Sequence, residues 1–238
     1  MTARTRTAHP YRDTDVIDAR APRFNQATVG VVALAATLTG WWPLLALLAA
    51  QLAIGLRFGR RYCLPCVAYF ELVQPRFGEG PIEDSRPPKF ANQVGLVFLT
   101  TATVAHVAGF AALGTGLGAA VAALALLAAA TGFCAGCEMY RIGARLRGIR
   151  RRDIDRVELA EFGAPRGDAG RADLVVAFSH PLCSDCRTVI GDLAAGPERW
   201  VSVDVRERPD LARKYGVALV PTVIRVAGDG RVLQLVAG

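Results

Sequence analysis

The sequence predicts a multi-domain protein in which an all-α four-helix transmembrane domain is followed by an α/β domain. Three observations lead to this reading. Residues 24–56 and 90–137 carry no Asp, Glu, Lys or Arg. Beyond residue 171 the pattern changes to short apolar runs separated by turn residues, in the order β-α-β-α-β-β. All six cysteines fall in C-x-x-C pairs, at Cys63/Cys66, Cys134/Cys137 and Cys183/Cys186.

The totals support membrane segments. The chain has 238 residues, room for one large or two small domains. Hydrophobic residues make up 52% and mean hydropathy is +0.29, high for an ordinary soluble protein. A net charge of +7 points to nucleic acid or to an anionic membrane surface. The arginines cluster beside the apolar stretches and lack the aromatic interleaving that base stacking uses. Membrane lipid is therefore the expected partner, and nucleic acid is excluded. No cleavable signal peptide is expected, because Arg4, Arg6, Arg12, Arg20 and Arg23 mix with Asp13, Asp15 and Asp18 and no short apolar core follows. Residues 1–22 read as a flexible tail.

Gly40-Trp41-Trp42-Pro43 divides the first uncharged stretch, since Gly and Pro end helices and paired Trp suits an interface. A first helix is expected over 25–39, shorter than the roughly 20 residues a span needs. A second is expected from Pro43, the favoured N1 position, through Arg57 and Arg60 towards Phe70. A proline-bearing polar loop covers 74–89. The second uncharged stretch holds two helices, with Gly114-Thr115-Gly116-Leu117-Gly118 as the expected break. The fourth helix, over 119–130, is almost pure Ala and Leu, and small residues allow close helix approach in lipid.

Within this domain, 23–145, the hairpins 23–72 and 89–145 read as an internal repeat. Phe24-Asn25-Gln26 opens one copy and Phe90-Ala91-Asn92-Gln93 the other. Tyr62-Cys63-Leu-Pro-Cys66-Val-Ala-Tyr69 closes the first, and Phe133-Cys134-Ala-Gly-Cys137-Glu-Met-Tyr140 the second. The tail, the 57–89 loop and 141–152 are basic, whereas both hairpin turns are uncharged. Both termini and the C-terminal domain should therefore be cytoplasmic in a multi-pass cell-membrane protein. The first two C-x-x-C pairs then lie near the cytoplasmic ends of helices two and four. Permanent disulfides are not expected in that reducing compartment.

A basic linker, 146–170, follows. Arg147 to Arg152 read as a contact to anionic lipid, and a Gly/Pro/Asp run covers 163–170. Strands are then expected at 174–178, 200–205, 222–226 and 231–236, with helices at 185–194 and 209–215. The last two strands form a hairpin across Gly228-Asp229-Gly230. Cys183 falls where a helix begins, so its sulfur meets backbone N–H groups and the positive end of the helix dipole, both favouring thiolate. Cys183 is the expected exposed nucleophile and Cys186 the resolving thiol.

From the strand at 200 onward the residues resemble the thioredoxin family. Val203-Asp-Val-Arg-Glu-Arg-Pro209-Asp-Leu-Ala-Arg-Lys-Tyr215-Gly-Val217, followed by Val220-Pro221-Thr222, looks like the stretch from central strand to cis-proline loop. Gly228-Asp-Gly230-Arg-Val232 is similar to the final hairpin. The resemblance implies a thioredoxin-like fold, truncated and lacking the last helix, over 171–238. It implies a cis proline at Pro221 beside the active cysteines, and a substrate-docking backbone at Val220. It departs from the family at Leu182-Cys183-Ser184-Asp185-Cys186, where Asp185 should oppose thiolate formation. The family's buried acid falls on Ala177. His180 is a candidate substitute, though a solvated loop histidine is the blander reading.

The N-terminal part resembles the membrane family named domain of unknown function 4395, through Phe-Asn-Gln and Gly132-Phe-Cys134-Ala-Gly136-Cys137-Glu138. This resemblance implies a topology and no activity. Three readings compete for Cys63, Cys66, Cys134 and Cys137. They are a redox relay exchanging electrons with Cys183/Cys186, a tetrathiolate binding Zn or Fe, and small apolar packing. His106 reads as a packing residue, and Glu138 as a tuner of Cys137 or an interfacial group. The expected function is that of a membrane-anchored thiol–disulfide oxidoreductase acting on a protein disulfide or low-molecular-weight thiol. Cys183, Cys186, Pro221 and Val220 form its site. The alternatives are a membrane metal- or sulfur-handling protein with a thioredoxin-like accessory domain, and a non-catalytic membrane scaffold.

Overall fold

A computed structural model describes residues 7–151, 156–163, 173–217 and 219–237. Two units divide the chain: Met1–Pro81 with Ser85–Tyr140, and Ile82–Asp84 with Arg141–Gly238.

The first unit is helical. A short strand β1 (Val16–Asp18) leads into α1 (Arg20–Thr39) and α2 (Pro43–Phe58). A 3-10 turn (Arg60–Tyr62), α3 (Leu64–Ala68), one π turn (Tyr69–Val73) and α4 (Gln74–Phe77) follow. Beyond β2 (Ile82–Asp84) come α5 (Arg86–Val107) and α6 (Ala111–Thr131), and α7 (Ala135–Arg151) begins here. α1 packs on α2 and α6, and α5 packs on the same two helices, closing a ring of four. Small residues line its core: Ala33, Ala102 and Ala122 are buried with Leu45 and Leu99. A Cβ on Gly30 would lie 2.7 Å from Leu126 Cγ, so α1 and α6 approach more closely there than a side chain allows.

The outward faces are also apolar. Val31, Leu38, Leu47, Val97, Val104 and Leu124 are exposed. α5 and α6, with 22 and 21 residues, are long and apolar enough to cross a membrane, and only 17% and 28% of their apolar windows are buried. The core helix of a soluble protein would be mostly buried; these helices are apolar on both faces.

Several boundaries differ from expectation. α1 starts at Arg20 rather than at residue 25 and has 20 residues. The segment before it, expected to be flexible, is tied down from residue 7. Thr7 and Ala8 donate N–H groups to the Glu79 carboxylate. The Arg60 guanidinium donates to the carbonyls of Pro10, Asp13 and Thr14. α2 stops at Phe58 rather than running towards Phe70, because Gly59 turns the chain at φ 94°. The second turn falls at Gly109, with φ 86°, not at Gly114–Gly118. Gly114 and Gly118 lie inside α6, facing His106 and Leu45. A glycine in an Ala/Leu-rich run marks either a break or a close contact, and here two of the three candidates mark contacts.

The second unit carries a four-stranded mixed sheet in the order β4-β3-β5-β6, formed by β3 (Leu174–Ser179), β4 (Trp200–Asp204), β5 (Thr222–Val226) and β6 (Val232–Ala237). β3 runs parallel to β4 and antiparallel to β5. Helix α8 (Ser184–Ala195) joins the parallel pair, and α9 (Pro209–Lys214) follows β4. Alternation along β3 serves two cores. Leu174, Val176 and Phe178 pack with Phe162, Leu211 and Tyr215, while Val175 and Ala177 pack with Leu193 and Trp200. The basic run at 147–152 is helical as far as Arg151. The linker expected at 163–170 lies outside the described residues from 164 onward.

Candidate active site

β3 is buried along its whole length and delivers the chain to Cys183, the N-cap of α8. The Cys186 backbone N–H donates to Cys183 Sγ at 3.2 Å. The Cys183 N–H donates to the His180 carbonyl at 3.0 Å. His180 is itself buried, and its Nδ1 accepts the Leu182 N–H at 3.2 Å. His180 is thus a buried organiser of the turn, not the solvated loop residue that its neighbour Pro181 suggests. A hydrogen bond from the Cys186 thiol, aided by the Cys186 backbone N–H, holds Cys183 below the ordinary thiol range. Burial and the Asp185 carboxylate act in the opposite direction and do not win. Donating to Cys183, together with burial, pushes Cys186 up. The two sulfurs are therefore unequal, Cys183 biased towards thiolate and Cys186 towards thiol.

Cys183 and Cys186 are 1% and 0% exposed, so Cys183 is not the exposed sulfur expected from its place at a helix start. Both pack against Val220, with Val205 and Val217 alongside. The Val220–Pro221 peptide is cis. Thr222 Oγ1, buried one residue on, donates to the Leu219 carbonyl at 2.6 Å and holds that loop. Ala177, where a family acid would fall, is buried with no carboxylate.

The other two C-x-x-C pairs occupy equivalent places in the helical unit. Each opens a helix, α3 after Cys63 and α7 after Cys134, rather than ending the long helix before it. Both are closed as disulfides, Cys63–Cys66 and Cys134–Cys137, with Cα atoms 5.2 and 5.1 Å apart. This differs from the open dithiols expected in a reducing compartment. Among the described residues no three His, Cys, Asp or Glu side chains gather into a metal-holding group. The Cys137 N–H reaches Cys134 Sγ at 3.2 Å, as the Cys186 N–H reaches Cys183 Sγ.

The paired motifs meet in space. Phe24 and Tyr69 contact with ring centroids 5.9 Å apart at 48°, and Phe90 and Tyr140 at 5.7 Å and 50°. Residues 17–145, which contain both copies, match the family described as Domain of unknown function (DUF4395). The chain belongs to this family. In the DUF4395 region Asn25 Nδ2 donates to Asn92 Oδ1 at 3.3 Å, a link between the copies that the sequence signals only through the shared Asn-Gln. Asn25, Leu52 and Asn92 line two cavities in common. One, about 150 Å³, includes Cys63, Cys66, Arg60 and Lys89; the other, about 250 Å³, includes Cys134. His106 stacks on Trp42 at 6.1 Å and 13°, a packing role.

Solved thioredoxins share part of the chain. Mitochondrial thioredoxin 3 from Saccharomyces cerevisiae in its oxidized form is 28% identical over 29% of this chain and 69% of its own, with a TM-score of 0.26. A mutant thioredoxin from Halobacterium salinarum NRC-1 is 30% identical over 29% of this chain and 63% of its own, also with a TM-score of 0.26. No curated protein matches.

Proposed function

We propose that the chain is a membrane-anchored thiol–disulfide oxidoreductase whose catalytic pair is Cys183 and Cys186. The observation that carries this reading is the asymmetry of the pair. Cys183 Sγ collects two donors from Cys186 and is held towards thiolate, while Cys186 keeps its proton. The Cys183 thiolate attacks a substrate disulfide, forming a mixed disulfide and releasing one substrate thiolate. Cys186 then loses its proton and attacks Cys183 Sγ. The second substrate thiolate leaves, and the pair is left as a disulfide; two electrons have passed to the substrate. Because Cys183 is buried, attack requires a local opening of the turn at 180–183 or of the Val220–Pro221 loop. Val220 and Pro221 then frame the docking surface.

The four long helices form the membrane domain in this reading, supported by the apolar outer faces of α5 and α6 and by the arginines flanking the uncharged stretches. Both termini and the thioredoxin-like unit are cytoplasmic. Alkaline washing of membranes tests the anchoring, and disulfide reduction by the purified chain tests the chemistry. Cys183→Ser should abolish reduction, and Cys186→Ser should accumulate the mixed disulfide. Full activity in Cys183→Ser would sink the proposal.

A further inference from the structure

The cavity beside Cys134 has a chemistry of its own. Its volume is about 250 Å³, just below the roughly 300–1,000 Å³ of pockets for drug-sized ligands, which is room for a ring but not for a dinucleotide. Among the described residues none of its lining carries a charge, which leaves nothing to bind the phosphates of a nicotinamide or flavin nucleotide. Polarity is graded along it. Asn25 and Asn92, near the starts of α1 and α5, and Cys134, just after α6, supply polar groups, and Val29 and Val121, further into α1 and α6, are buried and apolar. A ring with hydrogen-bond acceptors at one end and an apolar tail at the other matches that gradient.

We infer that this cavity binds a quinone, and that the quinone is the oxidant of the Cys134/Cys137 pair. The step balances: two thiols lose two electrons and two protons and form the Cys134–Cys137 bond, and the quinone takes up both and becomes quinol. The amides of Asn25 and Asn92 serve the quinone oxygens, and Cys134 in the wall brings sulfur to the ring. The inference rests on the membrane reading of the helical unit and not on Cys183.

The test uses the full chain carrying Cys183→Ser and Cys186→Ser, in phosphatidylcholine nanodiscs, reduced and then freed of reductant without oxygen. Decylubiquinone is the probe, because its fully substituted ring blocks direct thiol addition. Quinol should form in step with Cys134–Cys137 disulfide, followed by absorbance and by mass spectrometry of alkylated thiols. Ala125→Trp, which fills the cavity, should slow this by at least roughly tenfold. Dithiothreitol should still reduce the pair in that variant. A photoreactive quinone should label α5 and α6 peptides of the wild-type chain, an outcome that does not depend on any variant folding. Absence of quinol from a membrane-retained, reducible chain, or an undiminished rate in Ala125→Trp with no labelling of α5 and α6, overturns the inference. Release of the chain from membranes by alkaline washing would instead overturn the membrane reading.

Discussion

Asn25 and Asn92 hold each other between the early turns of α1 and α5, Nδ2 to Oδ1 at 3.3 Å. They occupy the same place in the two copies of the opening motif, so one amide pair joins the copies. Asn25 is buried, and its Oδ1 lies 4.0 Å from Cys63 Sγ. A disulfide sulfur has no hydrogen to donate. That contact therefore becomes a hydrogen bond only when the Cys63–Cys66 pair is reduced.

The asymmetry makes Asn25 a selective support for the dithiol. Replacing it by leucine removes one thiol hydrogen bond, worth about 0.5–1 kcal/mol, and should make the Cys63–Cys66 potential about 10–20 mV more negative. Equilibration against glutathione mixtures, with the pairs resolved by mass spectrometry, measures the shift. The same substitution orphans the buried side of Asn92, so a lower melting temperature should accompany it. An unchanged potential would remove Asn25 from the redox site and leave it a packing residue.

Asp18 makes a second prediction. Its buried carboxylate accepts from Tyr69 Oη at 2.9 Å, Gln74 Nε2 at 3.0 Å and the Gly80 N–H at 3.0 Å. Burial, with the Asp18 charge behind it, pushes the Tyr69 hydroxyl up and keeps it a donor. Asp18→Leu leaves these donors without an acceptor and should cost about 3–5 kcal/mol. Asp18→Asn keeps one acceptor and should cost less. Thermal unfolding of both variants, alongside limited proteolysis of the segment before α1, checks the ranking.

Much of this arrangement was legible in the sequence, for reasons that separate cleanly. The long uncharged runs and the Pro43 start set α1 and α2, and short apolar runs on either side of Gly228-Asp229-Gly230 set β5 and β6, because these signals are local. The Asp18 cluster was not legible. A carboxylate among Val16, Ile17 and Ala19 has no periodic signature, and its partners come from residues 69–80. Burial of Cys183 was hidden for the same reason, since it depends on Val205, Val217 and Val220 arriving from beyond β4. Gly136 was noted as part of a motif, but its physical role shows only in three dimensions. A Cβ there would lie 2.8 Å from Ala91 Cβ and 2.9 Å from Ala91 Cα.

That clash gives a third prediction. Gly136→Val forces the start of α7 away from the start of α5 against backbone that cannot yield, and overpacking of this kind costs about 1–3 kcal/mol. It should also displace Cys137 from Cys134 and leave that pair reduced more often. Alkylation of the denatured wild-type chain should label Cys183 and Cys186 and spare the other four cysteines. Gly136→Val should add Cys134 and Cys137 to the labelled set. Labelling of all six in the wild type would show that both disulfides are open in the isolated protein.

The last prediction concerns pH. Only the thiolate is alkylated, and the Cys186 donors lower the Cys183 pKa in the folded chain. The rate of iodoacetamide reaction at Cys183 should therefore rise to its plateau with a midpoint below the roughly 8.5 of a free thiol. Its absolute value should stay small, because reaction awaits local opening of a buried sulfur. Cys186, pushed the other way, should remain unmodified throughout. Asp185→Asn removes a carboxylate that opposes the thiolate, so the midpoint should move lower still. Cys186→Ala removes the thiol that donates to Cys183 and should move the midpoint up. If the midpoint fails to move up in Cys186→Ala, the helix start rather than its partner thiol is what activates Cys183.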